Sequence, residues 1–372
     1  MEISFNLIFL RRFKNNNSII HYPIMIDFST VSLQKMAIHF VGNKSKEEGV
    51  YISKNSISNF NEEEEESFLK YFIEPFRKVA EFYNFYHPTE IELNEIKSFA
   101  TVLFNEVASF EEVAEKIAKT LYDKSDHPNI NSGELFVTLF SGCTFNGETV
   151  DALGIYKSEV KDTFIKLQKE EKGYDYELDA GININQVDKG CIIYNTKKDG
   201  DFIVTVLDNI NKSKEAKYWM DDFLKLISCQ DSFHFTKDYL DVAKKFVTER
   251  MPEVFDLSKA DKIDYLNKSI NYFKKHDHFA EEDFLQDVFE HREVIDKFTQ
   301  FKDKYANENH VVLDNEFDIS NQAVKKQAKV FKSILKLDRN FHVYIHGSKD
   351  LIEKGMEADG RKYYKLFYEE EL

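Results

Sequence analysis

The sequence has little of what makes a chain loose, secreted or membrane-bound. Its 372 residues include only 5 Pro and 13 Gly, too few for long flexible linkers. The three cysteines, Cys143, Cys191 and Cys229, lie far apart and are odd in number. No CxxC pair occurs, so their spacing signals neither a zinc site nor a disulfide framework. They read as buried, reduced thiols of a cytosolic protein. No apolar run approaches the roughly 18 residues of a spanning helix. The short run Phe5–Leu10 has its charges, Arg11, Arg12 and Lys14, on the wrong side for a signal peptide. Met25-Ile26-Asp27 reads like an ordinary beginning, so residues 1–24 read either as an upstream extension or as an extra strand.

Positive charge is also short. Fifty Lys and Arg stand against 66 Asp and Glu, a formal net charge of −16. Coating DNA with the whole protein surface needs a basic protein, because phosphate neutralisation drives that binding. Contact with nucleic acid is therefore left to a local basic patch or to a partner.

Catalytic signatures are missing too. There is no GxxxxGK[ST] loop, no HExxH and no GxSxG elbow. His276-Asp277-His278 could suggest a metal site, but no ligand beyond this run is apparent, and it reads equally well as a polar loop. His342 and His346 share a strand face with Tyr344, which a half-exposed strand explains. One enzyme pattern remains. Asp151, Glu159 and Lys161 give the D…ExK arrangement of metal-dependent nucleases, in which two carboxylates hold a divalent cation that activates water. Glu159 and Lys161 fall in an expected turn, however, and a chain this rich in Asp, Glu and Lys produces such spacings often. The sequence itself thus points to no catalytic residue, metal or cofactor, and the non-enzymatic expectation comes from the family resemblance given below.

What the chain has in quantity is aromatic: 34 Phe and 19 Tyr, enough for large cores. Its length allows roughly two or three domains. The pattern predicts an α+β fold: N-terminal helices with an antiparallel β meander, then a helical region ending in a helix plus β-hairpin. Expected boundaries are 25–210 for an α+β domain, 211–310 for a helical region, and 311–372 for a basic helix and C-terminal β-hairpin.

Within the first domain, Ala37–Val41 and Val50–Ser53 read as strands. Glu62–Glu66 read as a solvated loop before a helical block over 67–124, in which Pro75 ends or kinks a helix. Ser109 with Glu112 makes a capping box, followed by the stripe Phe110, Val113, Ala114, Ile117 and Leu121. Strands follow at Glu134–Phe140, Ala152–Lys157, Thr163–Leu167, Lys189–Asn195 and Phe202–Leu207. Asn146-Gly147 and Asp199-Gly200 serve as hairpin turns. Residues 216–306 return to helix, with Tyr239, Val242, Ala243 and Phe246 on one stripe and a cap at Ser258 and Asp261.

The end of the chain reverses the overall sign. From 320 to 339 there are six positive residues, Lys325, Lys326, Lys329, Lys332, Lys336 and Arg339, against one negative, Asp338. A helix is expected from a Ser320 cap to about Leu335, with Val324, Ala328, Phe331 and Leu335 apolar. Lys325, Lys329, Lys332 and Lys336 follow one position on and would line one face, suited to a phosphate backbone. The same spacing fits a solvated face pairing with carboxylates elsewhere. Strands are expected at Phe341–His346 and Tyr363–Tyr368, the hairpin standing beside the helix like a wing.

Several segments, in order along the chain, resemble the 37-kilodalton nucleoid-associated bacterial protein family. They are Val41–Gly49, Lys70-Tyr71-Phe72-Ile73-Glu74-Pro75-Phe76, Phe85-Tyr86-His87-Pro88, Lys161-Asp162-Thr163-Phe164, Asp188-Lys189-Gly190-Cys191, Ala216–Phe223, Ala323–Ala328 and Phe341–Gly347. The likeness covers about residues 25–370. It implies a cytoplasmic protein of the nucleoid with inferred DNA binding and no catalytic residues to carry over. In some relatives it also implies contact with topoisomerase-type DNA machinery. The resulting expectation is a protein, dimeric, that binds DNA through the 320–339 segment or joins a DNA-bound partner. The rivals are an interaction adaptor that never touches DNA and a metal-dependent nuclease in foreign-DNA defence.

Overall fold

The computed structural model describes residues 24–196, 202–209, 218–309, 311–329, 331, 334–345 and 351–370. Residues 1–23 of the expected extension, the Asp199-Gly200 turn, Lys332 and His346 lie outside the described residues. The architecture is α+β, as the pattern predicts, and the chain divides into two compact units, 24–229 and 230–372.

The first unit is built on a nine-stranded antiparallel sheet. Its strands are β1 (Ile26–Asp27), β2 (Ser32–Val41), β3 (Val50–Tyr51), β4 (Phe82–Phe85), β5 (Gly133–Phe145), β6 (Glu148–Ser158), β9 (Lys189–Tyr194), β10 (Ile203–Asp208) and β11 (Leu226–Ser228). They run in the order β11-β4-β10-β9-β6-β5-β2-β3, with β1 also on β5. Strands β7 (Asp162–Glu170) and β8 (Gly173–Gly181) stand outside it as a two-stranded ribbon. Helices α1 (Glu62–Phe72), α2 (Glu95–Phe104) and α3 (Phe110–Lys124) cover the sheet.

Both faces of the sheet are buried, each in its own core. Leu153, Ile155, Cys191 and Ile193 meet the apolar stripes of α2 and α3 and the π-helical segment Tyr218–Leu224. Tyr156, Ile192 and Tyr194 meet Phe72 of α1 and Phe76. That is why Ala152–Ser158 and Lys189–Tyr194 are buried at every position instead of alternately. Gly190 belongs to this packing, since a Cβ there would lie 2.6 Å from Tyr156 Cδ1.

The local signals act as expected where they are strong. Ser109 and Glu112 form a reciprocal capping box, and the α3 stripe is buried. Asn146 and Gly147 both take positive φ, +48° and +84°, as a two-residue turn between β5 and β6 demands. Two expectations for this unit are corrected. Glu62–Glu66 do not form a loop but are the first turns of α1, where Asn61 caps the helix and negative charge favours its N-terminus. The 67–124 block is interrupted by β4, because Phe82 and Phe85 are drawn into the sheet beside β10.

The second unit holds α4 (Ser232–Lys245), continued by a π-helical turn into α5 (Met251–Val254), then α6 (Lys259–Lys275), α7 (Glu281–Phe289), α8 (Arg292–Asn309) and α9 (Asn321–Ala328). Its core is largely aromatic. Tyr239, Phe273, Phe279, Phe284, Phe298 and Phe317 pack together, with ring centroids such as Tyr239–Phe279 4.3 Å apart. A short antiparallel pair, β12 (His278–Ala280) and β13 (Glu316–Asp318), closes one side.

Two hairpins end the chain: β14 (Ile334–Leu337) with β15 (Phe341–Tyr344), and β16 (Ile352–Met356) with β17 (Lys362–Leu366). The two strands expected near 341–346 and 363–368 are present but belong to different hairpins. The expected helix to Leu335 is corrected as well, since α9 ends at Ala328. Leu335 satisfies both a helical and an alternating period. The turn at Asp338–Asn340 and the pairing of Leu335 with Val343 decide for the strand, and both side chains pack toward Ile263 of α6.

Candidate nucleic-acid interface and a buried lysine pair

The basic segment is divided between a helix and a hairpin. Ser320 caps α9, its Oγ accepting from the N–H of Ala323. Val324 is buried on that helix, and Gln327 Nε2 donates to Asp241 Oδ1 at 3.1 Å. Lys325, Lys326 and Lys329 are exposed. Lys326 is drawn over the Phe233 ring, 5.6 Å from its centroid. Arg339 is exposed in the turn between β14 and β15, while Lys336 is on β14, opposite His342. The single lysine-lined helical face expected from the sequence is therefore not formed, because Lys336 is no longer helical. What remains is a helix bearing Lys325, Lys326 and Lys329, followed by a hairpin whose tip carries Arg339.

The nuclease pattern is not assembled. Asp151 is exposed near the start of β6 and Glu159 follows its end. At the rise of an extended strand their Cα atoms are roughly 25 Å apart, too far to share a cation. Lys161 Nζ is instead paired with Glu134 Oε1 at 2.6 Å. His276 and His278 also have separate partners, the Tyr272 carbonyl and Asp318. Among the described residues no group of three His, Cys, Asp or Glu side chains converges to hold a metal ion.

Sequence reasoning passed over a second charged site. Lys157 of β6 and Lys189 of β9 are directly opposite each other in the sheet, and both side chains are 0% exposed. Like charges so placed repel, and burial penalises each further. The surroundings answer this. Glu159, whose side chain is 2% exposed, has Oε2 2.8 Å from Lys189 Nζ and Oε1 3.4 Å from Lys157 Nζ. Lys157 also donates to the Asn131 carbonyl at 2.6 Å. The Tyr218 hydroxyl donates to Glu159, and its ring centroid lies 5.9 Å from both ammonium groups. Burial pulls the Lys157 pKa below its ordinary value, against the raising effect of Glu159. Burial also raises the Tyr218 pKa, reinforced by Glu159, so its hydroxyl stays protonated as a donor.

This cluster sits at the root of the β7–β8 ribbon. Strands β6 and β9 are sheet neighbours, and the ribbon is inserted between Ser158 and Lys189. Asp188 Oδ2 accepts from the backbone N–H groups of Glu159 and Val160, at 2.7 and 2.9 Å. The carboxylate that the two lysines share is thus in the same short stretch that Asp188 holds in place. The signal that could have located the cluster is the convergence of segments far apart in sequence. Lys157 and Glu159, Lys189 and Tyr218, from three such segments, meet in it.

No curated relative and no solved structure matches the chain. A family model does, and it covers both the buried cluster and the basic segment. With residues 37–360 matched, the chain belongs to the NA37 family, described as nucleoid-associated protein YejK.

Proposed function

We propose that this nucleoid-associated protein is a non-enzymatic, cytoplasmic homodimer that contacts DNA through Lys325, Lys326, Lys329, Lys332, Lys336 and Arg339. The observation that carries the reading is the sign reversal from 320 to 339, where six positive residues meet one negative in a chain of net charge −16. The exposure of Lys325, Lys329 and Arg339 supports it, since they can reach phosphates without dismantling a core. A contact of this kind is local and independent of base sequence, because lysine ammonium groups engage the backbone as point charges.

The test is fluorescence anisotropy of labelled duplex DNA with the purified chain across a salt series. The slope of log affinity against log salt counts the phosphates engaged, at about −0.9 for each. A slope near −3 or steeper, flattened by charge reversal at Lys325, Lys329 and Arg339, is the expected result. Absence of binding at low salt would overturn direct contact. The acidity of the whole chain supports one second reading, in which a DNA-bound protein such as topoisomerase-type machinery carries this protein to the nucleoid. Co-purification with that partner after nuclease digestion is its distinguishing outcome.

A further inference from the structure

The ribbon formed by β7 and β8 is exposed along nearly its whole length and, among the described residues, pairs with no strand of the main sheet. An isolated two-stranded hairpin is marginal in water, yet this one extends nine residues per strand. Its register sorts the side chains sharply. Ile165 is opposite Leu178, Leu167 opposite Tyr176, and Lys169 opposite Tyr174. These residues share one face. The other face carries Lys166 paired with Glu177, Gln168 with Asp175, and Phe164 with Asp179, tied by a Lys166–Asp179 ion pair at 2.8 Å.

The five apolar residues of the first face, Ile165, Leu167, Tyr174, Tyr176 and Leu178, are each 62–71% exposed. Together they offer about 600 Å² of contiguous apolar surface, taking typical areas for large side chains. That is at the upper limit of what a monomer leaves uncovered and near the ~800 Å² per partner of a standard interface. Charge excludes nucleic acid as the cover, since 162–181 has three lysines against six carboxylates. The apolar face itself bears a single charge, Lys169, at the end of its row. Two copies of it can meet without opposing carboxylates. The root is held as well, by Asp188 on the N–H groups of Glu159 and Val160, so little freedom is lost when the arm docks.

We infer that the β7–β8 ribbon is a self-association arm whose apolar face is covered by the same face of a second copy of this chain. Such a contact is isologous and closes at two subunits. The inference deepens the dimeric part of the proposed function and does not depend on the DNA contact.

Sedimentation equilibrium of the full chain tests it, with far-UV circular dichroism to verify folding. The wild type is expected to sediment as a dimer. A double variant, Ile165→Asp with Leu167→Asp, is expected to weaken association by at least about 100-fold, as loss of a buried anchor pair does. Both positions are solvent-exposed, so the sheet core is untouched. Lys166→Ala, on the opposite face, is expected to leave the dimer intact. A wild-type monomer at about 0.1 mM would overturn both the arm and the dimer. A dimer that survives the double variant would overturn the arm alone, and DNA anisotropy on the same samples reports the nucleic-acid reading separately.

Discussion

Lysine is used in opposite ways in the two units. In the sheet unit, Lys157 and Lys189 are fully buried and held by Glu159, Tyr218 and a backbone carbonyl. In the C-terminal unit, Lys325 on α9 and Lys329 at its C-terminal cap are exposed. The first pair acts at low dielectric, where an unmatched charge costs several kcal/mol and salt has little access. The second acts where water surrounds the charge and salt screens it within about 10 Å. Position, not residue type, decides whether a lysine holds a fold together or reaches outward.

The sharpest way to break this contrast is Glu159→Gln. It leaves two opposed lysines without their carboxylate, and loss of about 3–5 kcal/mol of stability is expected. Urea denaturation should show a lower midpoint with an unchanged slope. The comparison is Lys161→Ala, which removes only the half-exposed pair with Glu134 and should change stability by less than about 1 kcal/mol. Equal losses in the two variants would mean that the Glu159 carboxylate does not offset the charge of the two buried lysines.

The outward pair is tested by charge reversal at Lys325, Lys329 and Arg339 together. Affinity for DNA should fall by about 100-fold at low salt, with the salt slope reduced by nearly 3. Thermal unfolding should be unchanged, because none of the three is buried. A fall in melting temperature alongside the loss of affinity would place these residues in the fold and erase the distinction between the two units.

The sequence carries this contrast unevenly. Caps and stripes are local, so Ser109 with Glu112, Ser258 with Asp261, and the α3 stripe can be read from neighbours alone. Asn146-Gly147 is equally plain, since a two-residue turn with both φ positive selects that dipeptide. The burial of Lys157 and Lys189 depends on which strands become neighbours and on both sheet faces being covered, and neither is a local property. Strand β8 alternates Tyr and Leu with Asp and Glu, and its pairing with β7 outside the sheet rests on the same long-range arrangement. In the basic segment charge is legible and shape is not. Leu335 fits two periods, and the hairpin turn after Leu337 wins.

A smaller change sharpens the outward side of the contrast. Ser320→Ala removes the cap from the helix that bears Lys325, Lys326 and Lys329. The Ser320 Oγ accepts from Ala323 N–H at 3.4 Å, a long bond, so the expected cost is about 0.5–1 kcal/mol, the lower part of the capping range. Chemical denaturation measures it. DNA affinity should fall by less than in the triple variant, because fraying spreads the lysines without removing their charge. A larger fall in affinity than the triple variant gives would assign recognition to helix geometry instead of charge.

The smallest effect concerns a buried titratable group in the sheet unit. His39 on β2 is 2% exposed, its Nδ1 accepts from the Ser53 N–H, and its Nε2 has no hydrogen-bond partner among the described residues. Burial lowers its pKa below 6.5, only partly offset by Glu115. The unfolded chain therefore takes up a proton on His39 near pH 6.5 while the folded chain does not. Above that pH the residue contributes nothing to the slope; as pH falls through 6.5 toward the folded pKa, stability is lost. His39→Gln keeps an acceptor for Ser53 and removes the titration. Denaturation midpoints at pH 7.5 and 5.5 should converge in the variant relative to the wild type. Exposed carboxylates on the same unit are common to both proteins and cancel in that difference. An unchanged pH dependence would show that His39 charges as readily inside the sheet as outside it, and that burial discriminates among lysines but not at this position.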